Sequence, residues 1–250
     1  DGLTDYPTTT GAYDTTHNGK GDVFITKMNN SLSSLIYSTY IGGSYTEIGQ
    51  DMEIDSNGNV YVTGQTKSSD LPTTSGAYDT TVNGNMDVFL TKINSSGSSI
   101  LYSTFMGGSG NDRAWDLEID NNDNVYLTGE TSNDYTDFPT TNGAYDTSHN
   151  GFTDVFVTKL NISSSKLSFS TYIGSSYYDI GYGISLSNNG STYITGYTRT
   201  GYGNIKFPTT KGAYDTRHNG FYDAFVVHLN SSGSSLIYST FLGGGANDYG

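Results

Sequence analysis

Carboxylates recur at fixed places in this chain, and oxygen ligands gathered at one place suit a hard cation. Glu47, Asp112, Asp179 and Asp248 occupy one equivalent position in successive stretches of sequence. Ringed around the mouth of a channel, they could coordinate Ca²⁺. A second constellation, Asp-x-x-x-Asn-Gly-x-x-Asp, appears as Asp14, Asn18 and Asp22, as Asp79, Asn83 and Asp87, as Asp146, Asn150 and Asp154, and as Asp215, Asn219 and Asp223. Its spacing is not that of an EF-hand loop. Both sets also have a structural reading that needs fewer assumptions: Asp caps turns by accepting backbone N–H bonds.

Other chemistry is thinner. His17, His149 and His218 share a position that Val82 fills once, so no function needing a ligand at every recurrence can rest there. His228 stands where Lys27, Lys92 and Lys159 stand elsewhere. No Gly-x-Ser-x-Gly nucleophile elbow is present. Glu53 and Glu118 are equivalent by position, which points to structure before acid–base catalysis. Asn29, Asn94, Asn161 and Asn230 each open an Asn-x-Ser/Thr sequon in the same turn, and Asn189 opens a fifth. Such turns would carry glycans on a secreted protein, although an Asn-Ser-Ser-Gly turn creates the same motif by itself.

The element behind these recurrences is a repeat. Gly-Ala-Tyr-Asp-Thr occurs at Gly11, Gly76, Gly143 and Gly212, at spacings of 65, 67 and 69 residues. The variation sits in one connection, between Thr66 and Leu71, Thr131 and Phe138, and Thr198 and Phe207. Rigid units with one free loop on one face are expected. Each unit reads as four short strands, rich in β-branched and aromatic residues and bounded by Gly, Asn, Asp and Ser. They are Asp22 to Lys27, Leu35 to Ile41, a brief Met52 to Ile54, and Val60 to Thr63, with counterparts in later units. Asp55-Ser56-Asn57-Gly58-Asn59 and Ser187-Asn188-Asn189-Gly190-Ser191 predict tight hairpins, and Asp120 to Asn124 fills the same place without glycine. The connection from Thr66 to Asp87 is expected to be an ordered crossing.

The succession Phe207-Pro208-Thr209-Thr210, Gly212 to Thr216, Asn219-Gly220, Asp223-Ala224-Phe225-Val226, Leu236 to Thr240 and Phe241-Leu242-Gly243-Gly244 resembles the secreted β-propeller repeat family called SBBP, as does Ile54 to Gly64. The resemblance spans nearly the whole chain. It implies an all-β fold, a single β-propeller array over 1–250 built from ~65-residue four-stranded antiparallel blades, about 3.5 of them here. Repeats would run approximately 1–66, 67–131, 132–198 and 199–250, the last incomplete. By analogy the Met52 to Ile54 strand is innermost, so a blade runs from Met52 through Val60 and Asp87 to the strand at Ile100. The start at Asp1, inside the variable connection, suggests a portion of a longer protein. A β-helix would need parallel coils of shorter period, and the hairpin turns speak against it.

Composition narrows the partners. With 25 acids against 11 bases, the net charge of −14 disfavours a nucleic-acid backbone or an anionic membrane surface. No apolar stretch approaches the ~20 residues that cross a bilayer as a helix. No cysteine is present, so neither a disulfide nor a thiolate metal site is available. Tyrosines near loops, Tyr45, Tyr135, Tyr177, Tyr178, Tyr182, Tyr197 and Tyr202, could stack on sugars or anchor a protein, with the Arg199 to Lys206 loop as the first choice of contact surface. Tyr37, Tyr61, Tyr126 and Tyr193 are expected to pack. The expectation is a non-catalytic extracellular scaffold, display or adhesion module without a required cofactor, binding protein or carbohydrate at the cell surface, or copies of itself. Alternatives are a self-assembling subunit of a cell-envelope layer, sheath or filament, and a hydrolase or lyase using a cation at the channel mouth.

Overall fold

A computed structural model describes residues 6–132, 137–199 and 205–250, and these form 14 strands joined by turns, with no helix among the described residues. β1 (Val23–Met28) and β2 (Leu35–Ile41) make a two-stranded antiparallel sheet. β3 (Glu47–Ile54), β4 (Val60–Thr66), β5 (Asp87–Ile93) and β6 (Ile100–Met106) follow in spatial order as a four-stranded antiparallel sheet. The pattern repeats as β7 (Asp112–Ile119), β8 (Asn124–Ser132), β9 (Thr153–Asn161) and β10 (Lys166–Ile173), then as β11 (Tyr178–Leu186), β12 (Thr192–Arg199), β13 (Asp223–Leu229) and β14 (Leu236–Leu242). This is the strand order the sequence pattern predicts.

Successive sheets face each other. β7 packs on β3, β4 and β5, and β11 on β7, β8 and β9, so the first strand of each sheet lies along one inner line. Three apolar clusters fill the spaces between consecutive sheets. Phe138 stacks on Phe156 with ring centres 4.6 Å apart, and Phe207 on Phe225 at 4.5 Å. Each junction is also stitched by a short parallel bridge, seen at Gly21 and Thr46, Met86 and Asn111, Thr153 and Tyr178, and Tyr222 and Asn247.

The inner strands are longer than their sequences suggest. They begin at Glu47, Asp112 and Tyr178, well before the apolar triplets, because each contains a bulge, between Gly49 and Asp51, Ala114 and Asp116, and Gly181 and Gly183. A bulge shifts the alternation of faces and so hides the strand in the sequence. Opposite each bulge sits Gly64, Gly129 or Gly196. A Cβ there would lie 1.9 Å from the carbonyl oxygen of Ile48, Arg113 or Ile180.

The long crossings are ordered. Each begins with a turn in which the amide of Ala12, Ala77, Ala144 or Ala213 donates to the carbonyl three residues earlier, the intervening glycine having φ of 76 to 83°. The crossing then runs beside the outermost strand: Thr9 N–H donates to Ser38 O, Tyr40 N–H to Asp14 O, and Asp14 N–H to Thr39 Oγ1. The same three bonds recur from Thr74, Thr141 and Thr210. Main-chain groups on the outer edge are thereby paired rather than exposed.

Candidate functional site

The acids first singled out build junctions. Glu47 and Asp112 are the first residues of β3 and β7 and Asp179 the second of β11, on the strands rather than ahead of them; Asp248 lies in no described strand. Each accepts the N–H of the residue four positions earlier: Gly43 to Glu47 at 2.8 Å, Gly108 to Asp112 at 2.8 Å, Ser175 to Asp179 at 2.6 Å and Gly244 to Asp248 at 2.7 Å. Glu47, Asp112 and Asp179 are buried, each in its own junction. Among the described residues no three His, Cys, Asp or Glu side chains converge as a metal cage.

The Asp-Asn-Asp constellation closes the turn before β1, β5, β9 and β13. The Asn18 side-chain amide donates to Asp14 at 2.6 Å, and its backbone N–H donates to Asp22 at 2.8 Å. Asn83, Asn150 and Asn219 repeat both bonds. The carboxylates therefore face N–H donors, the geometry of an Asx turn rather than of a cation shell. His149 Nε2 lies 3.1 Å from the Thr131 carbonyl, and burial lowers its pKa.

The two acid sets meet at two of the junctions. A Cβ on Gly107 would touch both Asp87 and Asp112, each within 2.8 Å. Burial pushes Asp112 up to about 7, with Asp87 adding to the rise. Asp154 is pushed up to about 8 by burial and then by Asp179, which burial itself raises to about 7. Like charges sharing a buried site disfavour double ionisation, which is the direction of these shifts. At the inner line, Asp51 accepts the Leu117 N–H at 3.0 Å and Asp116 the Ile184 N–H at 2.7 Å, carrying the stitching from one inner strand to the next. Burial, and after it the neighbouring Asp51, push Asp116 up to about 7.

Asn29, Asn94 and Asn230 sit in hairpin turns, where Oδ1 accepts the N–H of Ser33, Ser98 and Ser234 and Nδ2 donates to the same serines' hydroxyls. Asn161 Nδ2 donates to Asn124 Oδ1 at 2.7 Å. Asn189 is exposed. Tyr37, Tyr61 and Tyr126 are buried as expected. Tyr193 is not: it is 40% exposed and stacks on His228 at 4.1 Å, whereas Tyr61 and Tyr126 each lie in a cluster completed by side chains of the following sheet.

One region breaks the repeat chemically. Arg199, at the end of β12, lies over Phe221 at 4.2 Å, Tyr177 at 4.9 Å, and Tyr178 and Tyr222 at 5.7 Å each. Phe152 stacks on Tyr178 at 5.3 Å. Tyr197 links this group to Tyr222, Tyr249 and Tyr182, and Tyr182 meets Trp115. Trp115 and Tyr182 are the bulged residues of β7 and β11, which the bulge re-aims. Phe152, Phe221 and Tyr249 are exposed. Four of the loop tyrosines named from sequence therefore converge, whereas Tyr45 lies apart over Lys20. Tyr135 and the contact-loop candidate Tyr202 fall outside the described residues. Arg199 opens the loop first chosen as contact surface, whereas Phe152, Phe221, Tyr222, Tyr249 and Trp115 escaped the sequence reading. Their signal was substitution within an otherwise repeated frame: Gln65 and Glu130 become Tyr197, and Asn85-Met86 becomes Phe221-Tyr222.

No curated protein matches the chain. Residues 36–72, from β2 through β4 and into the following crossing, match the SBBP family model: this stretch is a beta-propeller repeat.

Proposed function

We propose that the protein is a non-catalytic extracellular scaffold of the β-propeller type, which displays a binding surface centred on Arg199. The observation that carries this reading is the distribution of difference among the units. Acids, amides and hydroxyls that recur in every unit are engaged in turns and junctions, while the positions that diverge together gather one guanidinium and a group of aromatic rings at one end of β11 and β12. Rings of this kind stack on sugar faces or anchor a protein partner. The sequons in the hairpin turns support a secreted or surface location, and the net charge of −14 disfavours nucleic acid as partner. Affinity electrophoresis against a panel of soluble polysaccharides tests the surface. Retardation by at least one polysaccharide, lost in Phe221→Ala and retained in Phe24→Ala, is expected; equal mobility of the wild type and Phe221→Ala on every polysaccharide refutes a carbohydrate surface.

A second reading, a self-assembling subunit of an envelope layer, sheath or filament, draws on the edge of β1 that no strand pairs with among the described residues. Electron microscopy separates the two: ordered sheets or fibres favour the subunit and discrete particles the scaffold.

A further inference from the structure

The turn between β7 and β8 supplies a carboxylate to the sheet before it. Asp123, the last residue of that turn, accepts the Tyr61 hydroxyl on one oxygen at 3.0 Å and Lys92 Nζ on the other at 3.1 Å. Lys92 also holds Asp55 of its own sheet at 3.2 Å. The next junction repeats this arrangement with one member missing. Lys159 lies over the Tyr126 ring at 4.7 Å and 3.6 Å from Asp120, the counterparts of Tyr61 and Asp55. The counterpart of Asp123 is Gly190, in the turn between β11 and β12. Both residues have positive φ, 58° at Asp123 and 79° at Gly190, so the difference lies in the side chain. A Cβ on Gly190 would lie 3.6 Å from the Tyr126 hydroxyl oxygen, an ordinary contact beside the group that a carboxylate there would meet. Without that carboxylate the Lys159 side chain is 19% exposed, against 8% for Lys92. A cavity of about 460 Å³ opens here, lined by Tyr126, Lys159, Asn121, Ser187, Asn188 and Gly190 among others. The corresponding cavity at the first junction is about 250 Å³ and is lined by Glu53, Asp55, Glu118 and Asp123, which repel an anion. At the second, Asp120 is the one acid among the described lining residues.

We propose that this cavity binds a carboxylate-bearing sugar, a uronic acid, whose carboxylate takes the place that Asp123 fills at the preceding junction. One carboxylate oxygen meets Lys159 Nζ and the other the Tyr126 hydroxyl, as the Asp123 oxygens meet Lys92 and Tyr61. The ammonium has three donors and keeps Asp120 on one of them. The Tyr126 hydroxyl turns from Asp120, which the Asn124 side-chain amide still holds at 2.7 Å. Hydrogen bonds to an ionised acceptor are the strong ones, so the carboxylate anchors the ligand. The amides and hydroxyl of Asn121, Asn188 and Ser187 offer both donors and acceptors, which is what the ring hydroxyls of a sugar require. The site lies at the opposite end of β12 from Arg199 and is separate from the surface proposed above.

Saturation-transfer NMR with D-glucuronate at millimolar concentration, and D-glucose as the uncharged control, tests the site. Transfer to glucuronate about fivefold or more above that to glucose is expected, the least that a charge-assisted hydrogen bond supplies. Transfer to glucuronate should be lost in Gly190→Asp, whose added carboxylate fills the place from within; Asp123 shows that an aspartate takes this backbone conformation. It should be lost as well in Lys159→Met, which leaves the turn untouched. Lys92→Met, the same change at the filled junction, should retain it. No transfer to glucuronate, equal transfer to glucose, retention in either Gly190→Asp or Lys159→Met, or loss in Lys92→Met overturns the proposal.

Discussion

The pair β1–β2 and its repeat-equivalent strands β9 and β10 in the sheet β7 to β10 have similar sequences in different surroundings. In the sheet, Phe156 lies between Gly129 of β8 and Phe138 of the crossing. In the pair, Phe24 meets Tyr6 of its crossing at 4.0 Å and, among the described residues, no strand pairs with β1 on its other side. Lys159 covers Tyr126 beside Asp120, while Lys27 is exposed. The carboxyl pair Asp154 and Asp179 is buried and shifted, while Asp22 is partly open. The comparison shows that a unit's sequence fixes strand and turn locally, but burial, and with it the energetic weight of each side chain, comes from the neighbouring sheet.

Four tests sharpen or break that comparison. Phe156→Ala should destabilise by about 3 to 5 kcal/mol, the range for a fully buried aromatic, and Phe24→Ala by less than about 1 kcal/mol; equal shifts in urea midpoint would show that the two surroundings do not differ. Gly129→Val should cost about 3 kcal/mol or more, since its side chain meets a carbonyl oxygen, and thermal unfolding beside Lys206→Val, in the variable connection, provides the contrast.

Titration gives the third. Carboxyls raised in the folded state contribute stability that is fully present below their unfolded pKa and lost as pH rises through the folded one. With Asp154 near 8 and Asp112 and Asp179 near 7, stability should fall between about pH 4 and pH 8. Asp154→Asn should flatten that slope and stabilise by about 1 kcal/mol or more at pH 8. The smallest effect is at the lysines. Lys92 holds Asp55 at 3.2 Å and Asp123 at 3.1 Å over the Tyr61 ring, so Lys92→Met should cost about 1 kcal/mol, and Lys27→Met no more than about 0.3 kcal/mol, by chemical denaturation.

Much of the fold was legible because local chemistry enforces it. Gly58 and Gly190 take φ of 80 and 79° in the predicted hairpins, and Asp123 takes 58° where glycine is missing. The inner strands were foreshortened in the reading, since Gly49, Gly181 and the bulge interrupt the alternation on which strand recognition depends. Acids such as Asp112 and Asp179 were legible as one set, but their pairing with Asp87 and Asp154 was not, because the partner belongs to the sheet before. The Arg199 cluster draws on residues from 115 to 249, a convergence no spacing rule encodes.

The crossings have a consequence for how the array opens. The amide of Tyr13 donates to the carbonyl of Gly97, in the turn of the next sheet, and Tyr145 does the same to Gly233. Gly97 and Gly233 lie against the rings of Tyr37 and Phe169, so close that a methyl group would not fit. These amides sit in irregular backbone, where hydrogen exchange is ordinarily fast. Here their exchange is tied to release of the neighbour's turn, so loosening of one unit is felt by the next, and the array melts as a coupled series rather than as independent beads.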